Sequence, residues 1–451
     1  MTTTIPATWR QCSLLECSEF VRGVTYTKGD ASEVPSDGFV PMLRANNIQA
    51  KQFDWSDLVY VPESFVSEAQ QLRIGDVVVA TSSGSLSVVG KAAQVRSKVT
   101  SSFGAFCGVL RPKADIEARY FGHFFSSFAY RSSVSELARG VNINNLKRDH
   151  FAAIQIPIAP LEEQKRIADK LDTVLTRVDA VNARLARVAP LLKRFRQSVL
   201  AAATSGRLTE DWRDSHDLQI AWPHVRLDEV AYDFSYGSAA KSSKHGLIPV
   251  LRMGNIQNGA LDWSDLVFTD DPLETKKYSL QHGDVLFNRT NSPELVGKTA
   301  VYKGERQAIY AGYLIRVRCS EKLLPDFINF CLGSPRGREY CWSVKSDGVS
   351  QSNINAKKLA AFEFALPSVD EQAEIVRRVE TLFAFADRLE ARLQAAQTAA
   401  NRLTHALLAK AFRGELVPQD PNDEPAAELL KRLAAGAPAT TKRRGRPAKA
   451  A

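Results

Sequence analysis

The sequence contains no run of about 18 apolar residues and no basic N-terminal flank joined to an apolar stretch, so neither a membrane span nor an export signal is supported. Its six cysteines include no Cys-x-x-Cys pair and its seven histidines are dispersed, so the ligand spacing of a zinc site is missing. We therefore expect a cytoplasmic chain with reduced thiols, no bound metal and no membrane contact.

Sequence motifs of common enzymes are also missing. The segment VGKT at Val296–Thr299 has the end of a phosphate-binding loop, but such a loop needs a glycine five positions before the Gly-Lys pair, where this chain has Ser292. There is no Gly-x-Gly-x-x-Gly fingerprint, no Asn-Pro-Pro-aromatic motif and no acidic cluster with metal-ligand spacing. We therefore predict that this chain has no catalytic residue, no cofactor and no metal.

Positive charge is in modest excess: 59 Lys and Arg residues oppose 50 Asp and Glu residues, which gives a formal net charge of +9. This balance favours polyanionic partners, although the excess is small for 451 residues. With 44% hydrophobic and 24% charged residues the chain has the composition of a globular protein, and its length predicts about two to four domains.

An internal repeat is the most unusual feature of the sequence. The segment MLRANNIQAKQFDWSDLVY at residues 42–60 returns as VLRMGNIQNGALDWSDLVF at residues 250–268, about 208 residues later. The register persists, because Gly75-Asp76-Val77 matches Gly283-Asp284-Val285. The chain is therefore one unit of roughly 210 residues used twice, which fixes its architecture before any single motif does.

In each copy the pattern changes at a Glu-Gln pair, within LEEQKRI from Leu161 and VDEQAEI from Val369. Before the pair, short β-rich runs such as DVVVATSS and DVLFNRT alternate with Gly, Pro and Asn, which predicts a mixed α+β globule. After the pair, apolar residues recur at steps of four and three, which predicts a long helix with a coiled-coil seam. For either stripe alone, the alternative is a buried helix in an ordinary core.

The predicted seam positions are Ile167, Leu171, Val174, Val181, Leu185, Ile375, Val379, Leu382, Leu389 and Leu393. Pro190 interrupts the first stripe, and we expect a kink or break there because its ring clashes with the carbonyl four residues earlier.

Five segments follow from these patterns. They are a first globular domain (1–160), a first helical region (161–212), a second globular domain (213–367), a second helical region (368–433) and a disordered basic tail (434–451). A domain tends to have its termini close together, so we predict an α+β fold in which two antiparallel helices separate two similar globules with pseudo-two-fold symmetry. The rod would be about 48 Å long. Such a dumbbell suits either two inverted half-sites on duplex DNA or a scaffold with two protein-docking heads.

The helix starts IPIAPLEEQKRIADKLD and FALPSVDEQAEIVRRVE, and the helix ends SVLAAATSGRLTEDW and ALLAKAFRGELVPQD, resemble the specificity subunit of type I restriction–modification systems. The resemblance runs from Trp9 to about Leu433. In that family two variable target-recognition domains alternate with two conserved helical regions. The resemblance implies a non-catalytic subunit that reads a bipartite DNA target, with an unread spacer between its two half-sites.

The resemblance also implies partners. They are double-stranded DNA, two methyltransferase subunits that modify adenine N6, and restriction subunits that translocate DNA. S-adenosylmethionine, ATP and magnesium are then expected on the partner subunits and not on this chain. The helical regions would dock the methyltransferase subunits and set the spacer. The alternative from another functional class is a bipartite coiled-coil adaptor that binds protein partners.

Polar loops that follow buried strands are the candidate DNA contacts, because Arg and Asn can pair with guanine and adenine edges. The loops Thr81–Ser87 and Asn288–Glu294 occupy equivalent places but differ in side chains, and Gly140–Arg148 and Gly348–Lys358 are similarly rich in donors. The predicted contacts are Ser82, Ser83, Ser85, Asn142, Asn144, Asn145 and Lys147 in the first copy, and Asn288, Arg289, Asn291, Ser350, Gln351, Asn353 and Lys357 in the second. Ordinary polar turns are the alternative.

By contrast, the shared DWSDL segments with Trp55 and Trp263 are predicted to be framework, since identical residues cannot select two different sequences. The tail carries Arg444-Gly445-Arg446-Pro447, which matches the core of a minor-groove AT-hook, so Arg444 and Arg446 are further candidates. A generic basic, solvated tail is the alternative, and either would add salt-sensitive affinity.

Overall fold

The computed structural model describes residues 5–49, 52–83, 88–139, 145–217, 221–349 and 351–435. They form two compact units, one from Met1–Arg184 with Ala396–Ala451 and one from Leu185–Ala395. Each unit combines strands and helices, so the α+β prediction is confirmed.

The first unit is built on a four-stranded antiparallel sheet. Its strand order is Ser18–Arg22, Cys107–Pro112, Val77–Ala80 and Ala92–Gln94. A second sheet has the order Val59–Pro62, Phe39–Leu43 and Ser102–Phe103, and Arg10–Ser13 pairs with Gln155–Ile158. The helices are Leu14–Cys17, Ala118–Phe124, Phe128–Arg139, Arg148–Ala153, Leu161–Ala186 and Ala426–Ala435.

The second unit repeats this topology. Its four-stranded sheet has the order Ala231–Tyr236, Leu314–Cys319, Val285–Asn288 and Thr299–Val301, its three-stranded sheet has the order Val267–Thr269, Ile248–Leu251 and Ile309–Tyr310, and His224–Arg226 pairs with Glu363–Ala365. Short strands Ile256–Gln257 and Ala260–Leu261 pair with each other, and Thr290–Asn291, Ser352–Asn353 and Ser346–Asp347 form a further sheet. The helices are Val188–Thr204, Glu210–Ser215, Leu227–Val230, Pro272–Tyr278, Pro325–Gly333, Pro335–Val344, Ala356–Ala360 and Val369–Ala411, which continues into the first unit.

Uninterrupted apolar runs place one strand at the centre of each four-stranded sheet. Every residue of Val77–Ala80 is buried, and so is every residue of Val285–Asn288. Alternate side chains enter different cores: Val285 and Phe287 join the core against the helices, whereas Leu286 joins the core on the other face. Burial on both faces explains why these strands lack the apolar–polar alternation of a solvent-facing sheet.

The buried glutamate of each Glu-Gln pair anchors a long helix to its globule. Glu163 accepts a hydrogen bond of 2.9 Å from the indole nitrogen of Trp9, and Glu371 accepts one of the same length from Trp222. Burial is the main cause of a raised pKa at Glu163, which the Trp9 hydrogen bond partly offsets. The same tryptophan–glutamate contact therefore recurs about 208 residues apart.

The adjacent glutamine ties the same joint to the backbone. Gln164 accepts from the amide of Glu117 at 3.0 Å and donates to the carbonyl of Ala159 at 2.8 Å. Gln372 accepts from the amide of Leu324 at 2.7 Å and donates to the carbonyl of Pro367 at 2.9 Å. A buried amide side chain that satisfies backbone groups on both sides is costly to replace, which accounts for the repeated motif.

The first long helix is interrupted at Arg187, between Leu161–Ala186 and Val188–Thr204. Pro190 has no amide hydrogen to donate to the carbonyl of Ala186, so the helical hydrogen-bond ladder cannot continue there. The predicted break is confirmed.

Most predicted seam residues are covered by neighbouring side chains. Ile167, Leu171, Ile375, Val379 and Leu393 are buried, and Val174, Leu185, Leu382 and Leu389 are partly buried. The prediction for Val181 is wrong, because its side chain is 47% exposed. The fully buried residues here include Leu171, Leu175 and Val178, which keep the predicted steps of four and three, and this buried run ends before Val181.

Within the second unit the two long helices run antiparallel. Arg196 donates to Asp387 at 2.6 Å and lies 5.3 Å from the ring centroid of Phe383. In the short helix Glu210–Ser215, which follows this segment in the chain, Asp211 accepts from Arg378 at 2.6 Å. Residue numbers therefore rise on one side while they fall on the other, as predicted.

The first unit contains the opposite ends of the same helices. Ile167 and Leu171 share a buried cluster with Leu408 and Ala411. The C-terminal segment completes this cluster with Leu429 of helix Ala426–Ala435, and Arg166 donates to Asp423 at 2.6 Å. Residues from both ends of the chain thus build one core.

Candidate nucleic-acid interface

Two predicted loops of the second unit meet in one small sheet. Thr290 pairs with Asn353 and Asn291 pairs with Ser352, and the amide of Ile354 donates to the carbonyl of Arg289 at 2.9 Å. The first unit has an equivalent junction, where Ser82 bridges to Asn145 and the amide of Leu146 donates to the carbonyl of Thr81. Folding therefore brings together loops that are about 60 residues apart in the sequence.

Arg289 is held at this junction by three contacts. Its guanidinium carbon lies 4.6 Å from the ring centroid of Tyr236, Nη1 donates to the carbonyl of Gly312 at 3.2 Å, and Nη2 makes a long contact of 3.5 Å with Oδ1 of Asn353. Asn353 in turn donates to the hydroxyl of Thr290 at 2.7 Å. The side chain is therefore fixed beside the strand end that the sequence identified.

Asn288 corrects one prediction. Its side chain has no exposed surface, and neither amide atom has a hydrogen-bond partner among the described residues. It is the last residue of a central strand, where the side chain still faces the core. Asn288 therefore does not reach a ligand in this structure, and its equivalent in the first copy is Ala80.

The remaining candidates are placed at or near the surface. Asn291 and Asn353 are half-buried in the second unit, where Gln351 and Lys357 are exposed. In the first unit Ser82 and Ser83 are half-buried, whereas Asn145 and Lys147 are exposed. Ser85, Asn142, Asn144, Ser350, Arg444 and Arg446 lie outside the described residues. Whether any of these side chains contacts DNA stays a prediction.

An exposed aromatic residue adjoins each junction, and sequence reasoning missed both. Phe106 is 67% exposed and Tyr313 is 49% exposed, and each precedes an equivalent strand of the four-stranded sheet. The carbonyl of Phe106 accepts from the amide of Thr81, and that of Tyr313 accepts from the amide of Arg289. The sequence could have indicated them, because both copies have an aromatic residue at this matching position.

The repeated opening segment forms framework, as predicted. Buried Asn47 donates to the carbonyls of Asp54 at 3.0 Å and Asp57 at 2.7 Å. Buried Asn255 donates to the carbonyls of Asp262 and Asp265, both at 2.9 Å. The two loops are therefore closed by the same asparagine.

The arginine of that segment makes the same ion pair in both copies, but the tryptophan has different surroundings in each copy. Arg44 pairs with Asp57 at 2.8 Å and Arg252 pairs with Asp265 at 3.1 Å, so this ion pair is repeated. Trp263 packs against a buried cluster, whereas Trp55 is 42% exposed. The asparagine, not the tryptophan, is thus the main structural reason for the repeat.

Asp347, on the strand Ser346–Asp347 of the small sheet, has an ion-pair partner for its carboxylate. Asp347 accepts from Lys345 and from the hydroxyl of Ser352, and both hydrogen bonds lower its pKa. A negatively charged ligand at this edge would therefore meet less repulsion than the sequence charge suggests.

The described residues contain no group of three or more His, Cys, Asp or Glu side chains arranged to hold a metal ion. Burial raises the pKa of the Cys107 thiol to about 12 and that of Cys341 to about 11, so neither is an activated nucleophile at neutral pH. No helix in the described ranges is long and apolar enough to cross a membrane.

A cleft of about 610 Å³ opens in the second unit beside Thr204, Trp222 and Arg336, and its lining includes none of the predicted DNA contacts. In the first unit the residue equivalent to Thr204 is Phe412, whose ring lies 5.1 Å from that of Tyr120. The two copies therefore differ in packing here, away from the predicted contacts.

Comparison with known proteins gives concordant results. The family described as the type I restriction modification DNA specificity domain matches residues 6–189 and again residues 221–396. The specificity subunit of the type I restriction enzyme EcoKI from Escherichia coli (strain K12) is 40% identical over 444 residues, which is 96% of each chain. The StySPI specificity subunit from Salmonella potsdam is 42% identical over 445 residues, again 96% of each chain.

Solved structures share the fold. A chain from a study of complex assembly and conformational transition of the type I R-M system has a TM-score of 0.71 at 20% identity, over 92% of this chain and 100% of that chain. The HsdS subunit from Thermoanaerobacter tengcongensis has a TM-score of 0.54 at 19% identity, over 92% and 99%.

The two family matches coincide with the two copies of the repeat, each with its Glu-Gln joint and its strand-end junction. The α+β fold and the family resemblance are thereby confirmed. The chain belongs to the family of type I restriction–modification DNA specificity subunits.

Proposed function

We propose that this chain reads a bipartite DNA sequence, one half-site with each globule, and leaves the spacer between them unread. One observation carries the proposal: both copies share the same framework hydrogen bonds, yet their strand-end junctions carry different side chains. Thr81 in the first copy corresponds to Arg289 in the second. A constant scaffold with variable donors is the arrangement that reading two different half-sites requires.

The chain then acts by directing partners and performs no catalysis itself. Methyltransferase subunits with S-adenosylmethionine would dock on the helical regions, and restriction subunits would use ATP and magnesium to translocate DNA in the cytoplasm. Family membership supports this division of labour. Exposed polar side chains along Val369–Ala411 provide surface for docking.

Selection from random duplex DNA tests the proposal. The chain, purified with its methyltransferase partner, is expected to enrich two short conserved blocks at a fixed separation. Methylated adenine in those blocks, in cells that carry the chain but not in cells that lack it, would support the direction of a methyltransferase. A complex that forms with protein partners but enriches no sequence would contradict the proposal and favour the bipartite adaptor.

A further inference from the structure

The Arg289 side chain is unusually well fixed for a residue at a surface junction. Its backbone is held on both sides, because its amide donates to the carbonyl of Tyr313 at 3.0 Å and its carbonyl accepts from Ile354 at 2.9 Å. Its guanidinium stacks on Tyr236, 4.6 Å from the ring centroid. Little conformational entropy remains to be lost when this side chain binds a ligand.

Tyr236 is a firm support for that stacking. It ends the strand Ala231–Tyr236, and its hydroxyl accepts a hydrogen bond from the amide of Ala356 at 3.0 Å. The ring is therefore fixed at the strand and at the hydroxyl. A guanidinium over a tyrosine face is attracted to it and keeps its plane oriented.

The contacts of Arg289 leave a specific pair of donors unused. A guanidinium has five N–H donors. One on Nη1 goes to Gly312 and one on Nη2 to Asn353, while Nε is buried without a partner. One N–H therefore remains on each terminal nitrogen, and across the described part of the chain no carboxylate pairs with this arginine. Arginine that presents two N–H donors of its planar group to a base edge pairs with the O6 and N7 acceptors of guanine.

The comparison of the two copies favours a base over a phosphate. Phosphates are common to both half-sites, so an arginine that only contacts phosphate would be useful in both copies. The first copy has buried Thr81 at the place of Arg289, and it has exposed Arg22 at the place of Tyr236. The first copy therefore has its cation on the neighbouring strand and no arginine at the strand end, and such a difference in side-chain placement is expected of residues that read different sequences.

We propose that Arg289 reads a guanine in the half-site bound by the second unit, and that Tyr236 and Asn353 position its guanidinium. This inference rests on the proposed function, since it names one base of the target. It assigns no guanine contact to the equivalent junction of the first unit.

Base preference at each target position, measured by selection from random duplex pools with the methyltransferase complex, tests this inference. Arg289→Lys keeps the charge but loses the planar fork, and it is expected to lower the preference for guanine at one position by roughly 5- to 150-fold. Tyr236→Leu is expected to lower the same preference, whereas Tyr236→Phe retains the ring and most of the preference. The other half-site is expected to keep its sequence.

Arg306→Ala supplies a matched control. Arg306 also lies 4.6 Å from an aromatic ring centroid, that of Trp263, in the same unit but away from the junction. Its replacement is expected to leave every base preference unchanged. Thermal unfolding of all variants separates the loss of a base contact from the loss of the fold.

Three results would overturn the inference while the proposed function stands. Arg289→Lys could weaken binding equally for all sequences, which would assign Arg289 to a phosphate. It could lower the unfolding temperature with base preferences intact, which would make the residue structural. The wild-type motif could also lack guanine in the half-site that the second unit binds. Failure of the wild-type complex to enrich any bipartite motif would instead overturn the proposed function itself.

Discussion

At the scale of single residues, the repeated asparagine gives a direct test of the framework. Asn255→Ala would remove the donors for two backbone carbonyls and the acceptor for the amide of Arg252. Buried polar groups without partners are expensive, so we expect a loss of about 1–3 kcal/mol in the free energy of unfolding. Denaturant titration would measure the loss.

The neighbouring Gln257→Ala is the control for that experiment, because Gln257 is exposed. Its amide nitrogen donates to the carbonyl of Gly254 at 2.9 Å, and its amide oxygen accepts from Lys298 at 3.3 Å. If Gln257→Ala lowered the free energy of unfolding as much as Asn255→Ala, any substitution in this loop would destabilise the protein. The buried asparagine would then have no special role.

Asp172 predicts a pH dependence of stability in the first unit. It accepts from His123 and Arg96, both at 2.9 Å, and also lies 3.3 Å from Arg119, so its pKa is well below the usual value. A carboxylate whose pKa is lowered by folding stabilises the protein above its unfolded pKa of about 3.9, and this contribution is lost as the pH falls through the folded pKa.

Asp172→Asn is therefore expected to destabilise the protein by about 1–2 kcal/mol at pH 7. Below about pH 4 the difference between the variant and the wild type should narrow. Urea unfolding at a series of pH values would measure this, with Asp179→Asn on the same helix as an exposed control. A difference that does not change with pH would contradict the assignment.

At this scale the sequence predicted where the candidate residues lie along the chain more reliably than which side chains they contact. The strand end at Asn288–Arg289 was located from its apolar run, but the run does not reveal that Asn288 still faces the core while Arg289 leaves it. Tyr236 ends a distant strand and Gly312 lies in a turn between two other strands, so no local pattern connects them with Arg289. Their role depends on tertiary pairing.

At the scale of elements, the C-terminal helix Ala426–Ala435 is predicted to contribute strongly to the stability of the first unit, although it is far in sequence from most of that unit. Leu429 is buried in the core that also contains Leu14 and Leu171. Leu429→Ala is expected to cost about 2–5 kcal/mol because it leaves a cavity. Leu403→Ala, at a side chain that is largely exposed on the preceding helix, should cost little. Differential scanning calorimetry of both variants would show whether the C-terminal helix is an integral part of that core.

Secondary-structure elements were predicted correctly where an apolar pattern extends over many residues. They were missed where an element forms only because of its tertiary contacts. The stripes of both long helices were visible because apolar residues recur over many turns, and the break at Pro190 follows from the chemistry of one ring. The two-residue strands Thr290–Asn291 and Ser352–Asn353 carry no periodicity, and each exists because the other is adjacent. Val181 was misplaced because the period of an apolar stripe does not reveal which of its positions are covered by neighbouring side chains.

At the scale of the whole molecule, modular reading makes a prediction about domain exchange. Val225 pairs with Phe364, so residues 225–365 begin and end on adjacent antiparallel strands. Replacing these residues with the equivalent part of another family member is expected to change one half-site and leave the other unchanged. Methylome sequencing of cells with the exchanged chain would measure both half-sites. A change in both would contradict independent reading.

Under the proposed function, the helical segments predict a second property of the whole molecule, the length of the spacer between the two half-sites. If these helices set the distance between the half-sites, one added heptad in each would lengthen them by about 10 Å, at 1.5 Å per residue. That is about three base pairs of DNA. Insertions after Asn182 and after Leu393 would place the added turns within the helices Leu161–Ala186 and Val369–Ala411.

The selected target of this variant is expected to keep both half-sites and to gain about three base pairs between them. In a control variant, the seven residues after each of these two positions are replaced by a different heptad and nothing is inserted. This variant should keep the original spacer. Because three base pairs also rotate one half-site by about a quarter of a turn, some loss of affinity is expected with the correct new spacing. An unchanged spacer in the lengthened variant would show that another part of the assembly measures the distance.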